Sequence, residues 1–203
     1  TQLDNVRLSG AATVNGTATI NALVLDNGGS LAGTSALTVN SGAVLALAGN
    51  GGISKPLDFG GREGVLHAAG AATTATISSA LSGSAGITKA GPGMLSLSST
   101  AQAFSGAVTV SAGVLDLASG AVLSNLYPPV DVHVAQGATL RFPNNLYVGA
   151  LEGNGLINGT TSNNIFRFGC DNSDSTFAGS FLQAGGTPDG PGVDKLGKGT
   201  ATI

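Results

Sequence analysis

The two histidines are the first residues to test for catalysis, because general-base and nucleophilic mechanisms at neutral pH most often use this side chain. His67 lies in "VLHAA" and His133 in "VDVHV". A serine-based triad needs a nucleophilic serine beside a histidine, but the chain has neither a G-x-S-x-G elbow nor a G-D-S-G-type stretch. No His-x-His or His-x-x-x-His pair offers a metal site. We expect both histidines to point outward from strands.

Pairs of aspartates are the second candidate, because glycoside hydrolysis needs two carboxyl groups that face each other across a groove. The nearest pairs are Asp171 with Asp174 in "CDNSDS" and Asp189 with Asp194 in "PDGPGVD". Both pairs lie among Gly, Ser and Asn residues, where Asp commonly hydrogen-bonds the backbone in Asx turns. "DNSD" could supply oxygens to calcium, but the chain lacks the Gly-Gly-x-Gly-x-Asp repeat and the EF-hand pattern. We interpret both pairs as turns.

Two further motifs have structural explanations. The stretches "GNG" and "GKG" are rich in glycine, as phosphate-binding loops are, but no helix follows them and no Gly-Lys-Ser/Thr ends them. Cys170 is the only cysteine, which excludes a disulfide within the chain, and its position directly after "FRFG" predicts a small buried apolar side chain. We therefore predict no catalytic residue, no cofactor and no metal site.

The composition excludes several other classes of protein. Hydrophobic residues make up 42% of the 203 residues and charged residues only 9%, whereas about 25% of residues are charged in a typical soluble domain. A disordered chain shows the opposite balance, and no run approaches the roughly 18 apolar residues that a membrane span needs. The net charge is −3 and there is no basic run, so we expect neither nucleic acid nor an anionic membrane surface as a partner.

Short strands recur along the whole chain, each marked by two apolar residues with one residue between them. The clearest begin at Val6, Leu23, Leu37, Leu45, Leu57, Leu95, Val108, Leu115, Val132, Leu140, Leu146 and Phe166. Alternation with period two puts both apolar side chains on one face of a strand. Asn-Gly turn signals separate many of these strands, and no segment combines a 3.6-residue period with helix caps. The chain is predicted to be nearly all β.

Two architectures can hold so many short strands. A sandwich or barrel uses fewer, longer strands and a large aromatic core, whereas a parallel β-solenoid stacks very short strands around a narrow interior. The aromatic content is only 4%, without tryptophan, which favours the solenoid. Corners rich in Gly and Asn also suit it, because these residues reach positive φ. We predict an elongated right-handed parallel β-helix, the hand being that usual for parallel crossovers.

Repetition is the strongest sequence evidence. "ITKAGPGMLSL" (residues 87–97) matches "VDKLGKGTATI" (residues 193–203) as apolar-x-Lys-x-Gly-x-Gly-x-apolar-x-apolar, and "FSG" at residues 104–106 has a partner in "FAG" at residues 177–179. The pattern resembles the autotransporter-associated β-strand repeat, with a complete motif at residues 87–117 and the start of a second at residues 193–203. The resemblance implies a right-handed parallel β-helix on a secreted or surface-attached bacterial protein, and it implies no activity.

The glycines of the two motifs are predicted to act through backbone geometry. They are Gly91, Gly93, Gly197 and Gly199. We expect at least one of them to adopt positive φ, where a Cβ is penalised by about 1 kcal/mol or more.

The ends of the chain show no obvious capping element. We expect one continuous solenoid over residues 1–203. We also expect it to belong to a longer chain, since the second motif is cut and no secretory signal is visible in "TQLDNVRLSG". The last residues, Thr200, Ala201, Thr202 and Ile203, read as a strand in mid-motif. Either the parent chain continues past them or another copy of the chain pairs with this edge.

The segment from residue 123 to residue 153 is the least repetitive. It holds both tyrosines, three prolines and Arg141. One interpretation is a protruding loop or lateral binding patch that includes Tyr127, Arg141 and Tyr147, since loops on a rigid scaffold commonly carry binding. The alternative is a local elaboration of one coil, in which the tyrosines cover the edge of the core.

Three functions remain compatible with the sequence. The first is a non-enzymatic structural or adhesive stalk on the bacterial exterior, with surface glycans or host proteins as candidate partners. The second is a filament subunit that stacks end to end with copies of itself. The third is a β-helix enzyme that acts on polysaccharides, for which the sequence offers the weakest support.

Overall fold

The repeated apolar pairs form strands of two to five residues in the structure, a computed structural model that describes residues 4–118, 123, 129–162, 164–183 and 192–203. The first nine strands are β1 (Asn5–Leu8), β2 (Ala11–Thr13), β3 (Ala18–Ile20), β4 (Ala22–Leu25), β5 (Ser30–Ala32), β6 (Leu37–Val39), β7 (Ala43–Ala46), β8 (Asn50–Ile53) and β9 (Leu57–Asp58). The next nine are β10 (Gly64–Ala68), β11 (Thr74–Ile77), β12 (Leu81–Gly83), β13 (Ile87–Ala90), β14 (Met94–Leu97), β15 (Ala103–Phe104), β16 (Val108–Val110), β17 (Val114–Leu117) and β18 (Val132–Val134). The last nine are β19 (Thr139–Phe142), β20 (Leu146–Tyr147), β21 (Leu151–Gly153), β22 (Leu156–Gly159), β23 (Ile165–Phe168), β24 (Ser175–Phe177), β25 (Ser180–Gln183), β26 (Gly192–Lys195) and β27 (Ala201–Thr202).

Consecutive strands occupy three faces in rotation, so that one circuit of the chain forms one coil; between β17 and β18 the described residues hold no strand of the third face. The first face is a ten-stranded sheet that runs from β1 to β27, and the second face is a nine-stranded sheet that runs from β2 to β25. The third face consists of a five-stranded sheet from β3 to β15 and a three-stranded sheet from β20 to β26. Neighbouring strands are parallel on every face. The fold is therefore the predicted all-β parallel β-solenoid, while its hand stays a prediction.

The core follows from the alternation of side chains along these short strands. On the second face, Leu95, Leu115, Leu140 and Ile157 are paired in register from coil to coil, and each is at most 2% exposed. Burying one such side chain contributes about 1.5–3 kcal/mol relative to leaving it exposed. With strands about 4.8 Å apart, the ten strands of the first face form a column about 43 Å long. Stacked aliphatic columns thus hold the coils together.

The few aromatic residues of the chain are concentrated in its later coils. Phe142, Phe166, Phe168, Phe177 and Phe181 form one cluster, with ring centroids of neighbouring pairs 5.2–6.4 Å apart. Four of them are at most 1% exposed, and Phe181 is half-buried. The rings come from strands on all three faces and meet at tilted angles inside the core.

The described part of the segment from residue 123 to residue 153 continues the stack. Strand β18 pairs with β16 on the first face, and β19 pairs with β17 on the second face. Leu123 is fully buried in the core. Residues 119–122 and 124–128 lie outside the described residues. Among the described residues, there is no helix with the length and apolar character that crossing a bilayer requires.

Candidate functional site

The turn that follows Lys89 is held together by a buried side chain. Lys89 occupies an inward position of β13 and is 0% exposed. Its Nζ donates hydrogen bonds to Ala90 O at 3.0 Å, to Gly91 O at 2.7 Å and to Ala112 O at 2.9 Å. Ala112 belongs to the next coil, so the side chain ties its own turn to that coil. Burial in the core lowers the pKa of Lys89 from 10.5 to about 8.

The two glycines of this turn are required by close backbone packing. Gly91 has a φ of +78°, and a Cβ there would overlap the backbone of Ala68 in the preceding coil. A Cβ on Gly93 would lie 2.5 Å from both Gly70 O and Thr73 O. These oxygens belong to fixed backbone, so they cannot move away as a flexible side chain would. The prediction that at least one of the motif glycines has positive φ is confirmed.

The second motif builds the same turn at a different corner. Lys195 Nζ donates to Leu196 O and to Gly197 O, and Gly197 has a φ of +67°. A Cβ on Gly199 would overlap the backbone of Ser173. However, the first motif joins the first face to the second through β13 and β14, whereas this one joins the third face to the first through β26 and β27. The two motifs agree in local geometry but not in their position around the solenoid.

The structure keeps the two histidines apart and outward. His67 lies at an outward, half-buried position of β10, and His133 lies at an exposed position of β18. Both orientations are as predicted. In the part of the chain that the structure describes, no group of three or more His, Cys, Asp and Glu residues is arranged to hold a metal ion.

The acidic pair in "CDNSDS" serves the backbone, as predicted. Asp171 Oδ1 accepts hydrogen bonds from the backbone N–H of Ser173 at 3.0 Å and from its hydroxyl at 2.5 Å. The hydroxyl bond is the main reason that the pKa of Asp171 lies below its usual value. Asp174 Oδ1 accepts from the backbone N–H of Thr200 at 2.6 Å. Of the second pair, Asp189 lies outside the described residues and Asp194 accepts from Arg167 Nε at 3.1 Å.

The residues proposed for a lateral patch lie on different faces. Arg141 projects from β19 on the second face, with Nε 3.5 Å from Asp116 Oδ1. Tyr147 projects from β20 on the third face and is 38% exposed. Tyr127 lies outside the described residues. The structure therefore does not bring Arg141 and Tyr147 together on one surface.

The partner of Tyr147 is instead Arg167, which the sequence analysis missed. Strands β20 and β23 pair in register, so that the two side chains stand one above the other. The guanidinium carbon of Arg167 lies 4.9 Å from the Tyr147 ring centroid, and its NH1 donates to the Tyr147 hydroxyl at 2.7 Å. The signal in the sequence was the outward position of Arg in "FRF", one coil after "LYV".

Neighbouring Cys170 is half-buried, and burial raises the pKa of its thiol.

The residues proposed as a stacking edge form the end of the first face. In β27, Ala201 pairs with Ser175 and Thr202 pairs with Thr176 of β24. Thr200 O accepts from Ser175 N at 2.8 Å, so Thr200 and Thr202 direct their backbone groups toward β24. The backbone groups of Ala201 consequently point away from the described coils. Ile203, which follows the strand, is 65% exposed.

The comparison with protein families agrees with this geometry. Residues 87–117 match the passenger-associated-transport repeat. The match covers β13 to β17, and therefore includes Lys89, Gly91 and Gly93 at the corner described above. No curated protein and no solved structure matches the chain significantly. The chain is thus a parallel β-solenoid that carries, at residues 87–117, a passenger-associated-transport repeat of the kind found in autotransporter passengers.

Proposed function

We propose that the chain is a rigid, non-enzymatic stalk of a bacterial surface or secreted protein. The observation that carries the proposal is the unbroken first face, where ten parallel strands stack over one another and include the strands of the passenger-associated-transport repeat. Passengers that carry this repeat are typically secreted or exposed on the cell surface. A stack of this kind sets a distance and an orientation, because each coil adds a fixed rise of about 4.8 Å.

A stalk tolerates the loss of one complete coil. Residues 64–86 form such a unit, since Gly64 of β10 and Ile87 of β13 occupy the same position on the first face. We expect the deletion of residues 64–86 to leave a folded chain, shorter by about 4.8 Å in small-angle scattering. A deletion of residues 64–78 is the control, because it removes β10 and β11 but keeps β12, and it should not fold.

The same deletion tests the function in the bacterium. A stalk predicts that the variant lacking residues 64–86 is displayed normally and that glycan or host-cell binding by the parent protein persists. A complete loss of binding with normal display would contradict the proposal, because it would show that β10–β12 contact a ligand directly. For an adhesive stalk, the candidate contacts are the exposed Tyr147 and the half-buried Arg167 beside it, and Tyr147→Ala would then reduce binding without affecting display.

A second candidate function is end-to-end pairing through β27. It is favoured by the outward backbone groups of Ala201 and by the exposure of Ile203, with a further strand of the parent chain or another copy of the chain as the partner. Pairing with another copy would not close on itself and would propagate as a filament.

The variant Ala201→Pro distinguishes this candidate. Proline removes the outward N–H while the bonds of Thr200 and Thr202 to β24 remain. We expect the unmodified chain to form assemblies that grow with concentration in sedimentation velocity, and Ala201→Pro to remain monomeric. Ala201→Val is the control and should assemble normally. An unmodified chain that stays monomeric at high concentration excludes pairing between copies.

A further inference from the structure

A second buried lysine lies at another corner of the solenoid. Lys55 follows β8 and precedes β9, and its side chain is 0% exposed. Its Nζ donates hydrogen bonds to Val14 O at 2.7 Å, to Gly16 O at 2.9 Å and to Ser35 O at 2.6 Å. One amino group therefore satisfies three main-chain carbonyl groups.

These three carbonyl groups come from the same corner of two different coils. Val14 and Gly16 lie between β2 and β3 in the first coil, and Ser35 lies between β5 and β6 in the second. All three are outside the strands, and no other hydrogen bond from the described residues reaches their oxygens. Because a buried amino group requires hydrogen-bond acceptors, Lys55 joins the first and second coils to the third through these three bonds.

The first described coil pairs with the second on all three faces, but it buries less apolar surface than the later coils do. The inward side chains of β1 to β3 are half-buried, whereas those of later coils are almost fully buried. Val6, Leu8 and Ala12 line an apolar recess in the first described coil, and Lys55 forms part of the same lining. A coil that buries little apolar surface is the part of a solenoid that opens most easily.

The chemistry of Lys55 is that of the repeat lysine. "ISK", which ends at Lys55, and "ITK", which ends at Lys89, share the apolar-x-Lys pattern, and both amino groups donate to three carbonyl oxygens. The two differ in direction, because Lys89 ties its turn to the following coil and Lys55 reaches the two preceding coils. Lys55 lies outside the residues that match the family model.

We propose that the three hydrogen bonds of Lys55 hold the first coil of the solenoid against the second and third. When these bonds are lost, strands β1 to β3 open as a unit while the later coils remain folded. This inference concerns how the first three described coils are held together, and it does not depend on the stalk function.

Hydrogen exchange of the full chain tests this role of Lys55. Lys55→Met keeps the length of the side chain but removes its N–H donors, which breaks all three hydrogen bonds to the first and second coils. We expect the amides of β1 to β3 to exchange at least about tenfold faster, because the first coil loses two hydrogen bonds to a charged amino group, and bonds to charged groups are the stronger ones. The amides of β16 to β27 should be unchanged. Lys198→Met is the matched control, since Lys198 is exposed, and it should exchange like the unmodified chain.

Chemical rescue separates the loss of donors from a general loss of packing. For Lys55→Ala, we expect methylammonium to slow the exchange of β1 to β3 again, whereas tetramethylammonium, which has no N–H group, should have no effect. The rescue can also be measured if Lys55→Met does not fold. Exchange in Lys55→Met that equals the unmodified chain, or that accelerates equally in all strands, would overturn the proposal. So would equal rescue by the two cations.

Discussion

A markedly lower melting temperature is the expected result of replacing the four motif glycines, Gly91, Gly93, Gly197 and Gly199, with alanine in one variant. Gly91 and Gly197 have φ values of +78° and +67°, where a Cβ costs about 1–2 kcal/mol per residue. At Gly93 and Gly199, a Cβ would collide with backbone oxygens of the preceding coil. Backbone strain alone predicts a fall of at least about 5 °C by calorimetry, since 1 kcal/mol shifts the melting temperature of a chain this size by about 2–4 °C.

Four other glycines provide the matched control for that variant. Gly10, Gly16 and Gly61 have no atom within 4 Å of an added Cβ, and at Gly52 the nearest atom is the Ser30 Cβ at 3.9 Å. None of the four has positive φ. Alanine at these positions reduces the freedom of the unfolded chain without strain, so we expect an unchanged or slightly higher melting temperature. If both quadruple variants lost the same stability, our account of the motif corners would be wrong.

The fold could be predicted because its two main determinants are local in the sequence. The spacing of Leu95 with Leu97 and of Leu115 with Leu117 places both side chains of each pair on one face, and all four are at most 2% exposed in the structure. The glycines that end such strands are equally visible in the sequence. A stack of short strands therefore leaves a clear pattern, because every coil repeats the same alternation.

The position of a strand around the solenoid was not predictable in the same way. The motifs at residues 87–97 and 193–203 are alike in sequence, but they occupy different corners. The face that a strand joins depends on the summed length of all the turns before it. Similarly, Arg141 and Tyr147 are close in sequence but project from different faces, because the chain turns a corner between β19 and β20.

The role of Lys55 could not be derived from local sequence. Lysine is normally a surface residue, and its burial here depends on Val14, Gly16 and Ser35, which are 20–41 residues away. Pro56 follows it, in place of the Gly-x-Gly turn that marks Lys89. The apolar-x-Lys pattern was the available signal, but it does not show which carbonyl groups the lysine reaches unless the register of the coils is known.

The buried amino group of Lys89 gives the solenoid a pH dependence whose sign can be stated. Burial lowers the pKa of Lys89 to about 8 in the folded chain, whereas an unfolded chain holds the proton up to about 10.5. Below pH 8 both states are protonated, and the cost of burying the charge is fully present. Between pH 8 and 10.5 the unfolded state binds more protons, so the free energy of unfolding contributed by Lys89 rises with pH. Above that range it is constant.

The variant Lys89→Met isolates this contribution from the other groups that titrate in the same range. The neighbouring strands β10 and β16 present Leu66 and Val110 in register with Lys89, and the titratable group beside its turn is His67, near Gly91. We expect the free energy of unfolding of the unmodified chain, measured in urea relative to Lys89→Met, to increase from pH 8 to pH 10.5. The free energy of unfolding of the unmodified chain relative to Lys198→Met should show no such increase. A difference that falls or stays level across this range would mean that the hydrogen bonds to Ala90, Gly91 and Ala112 outweigh the cost of burying the charge.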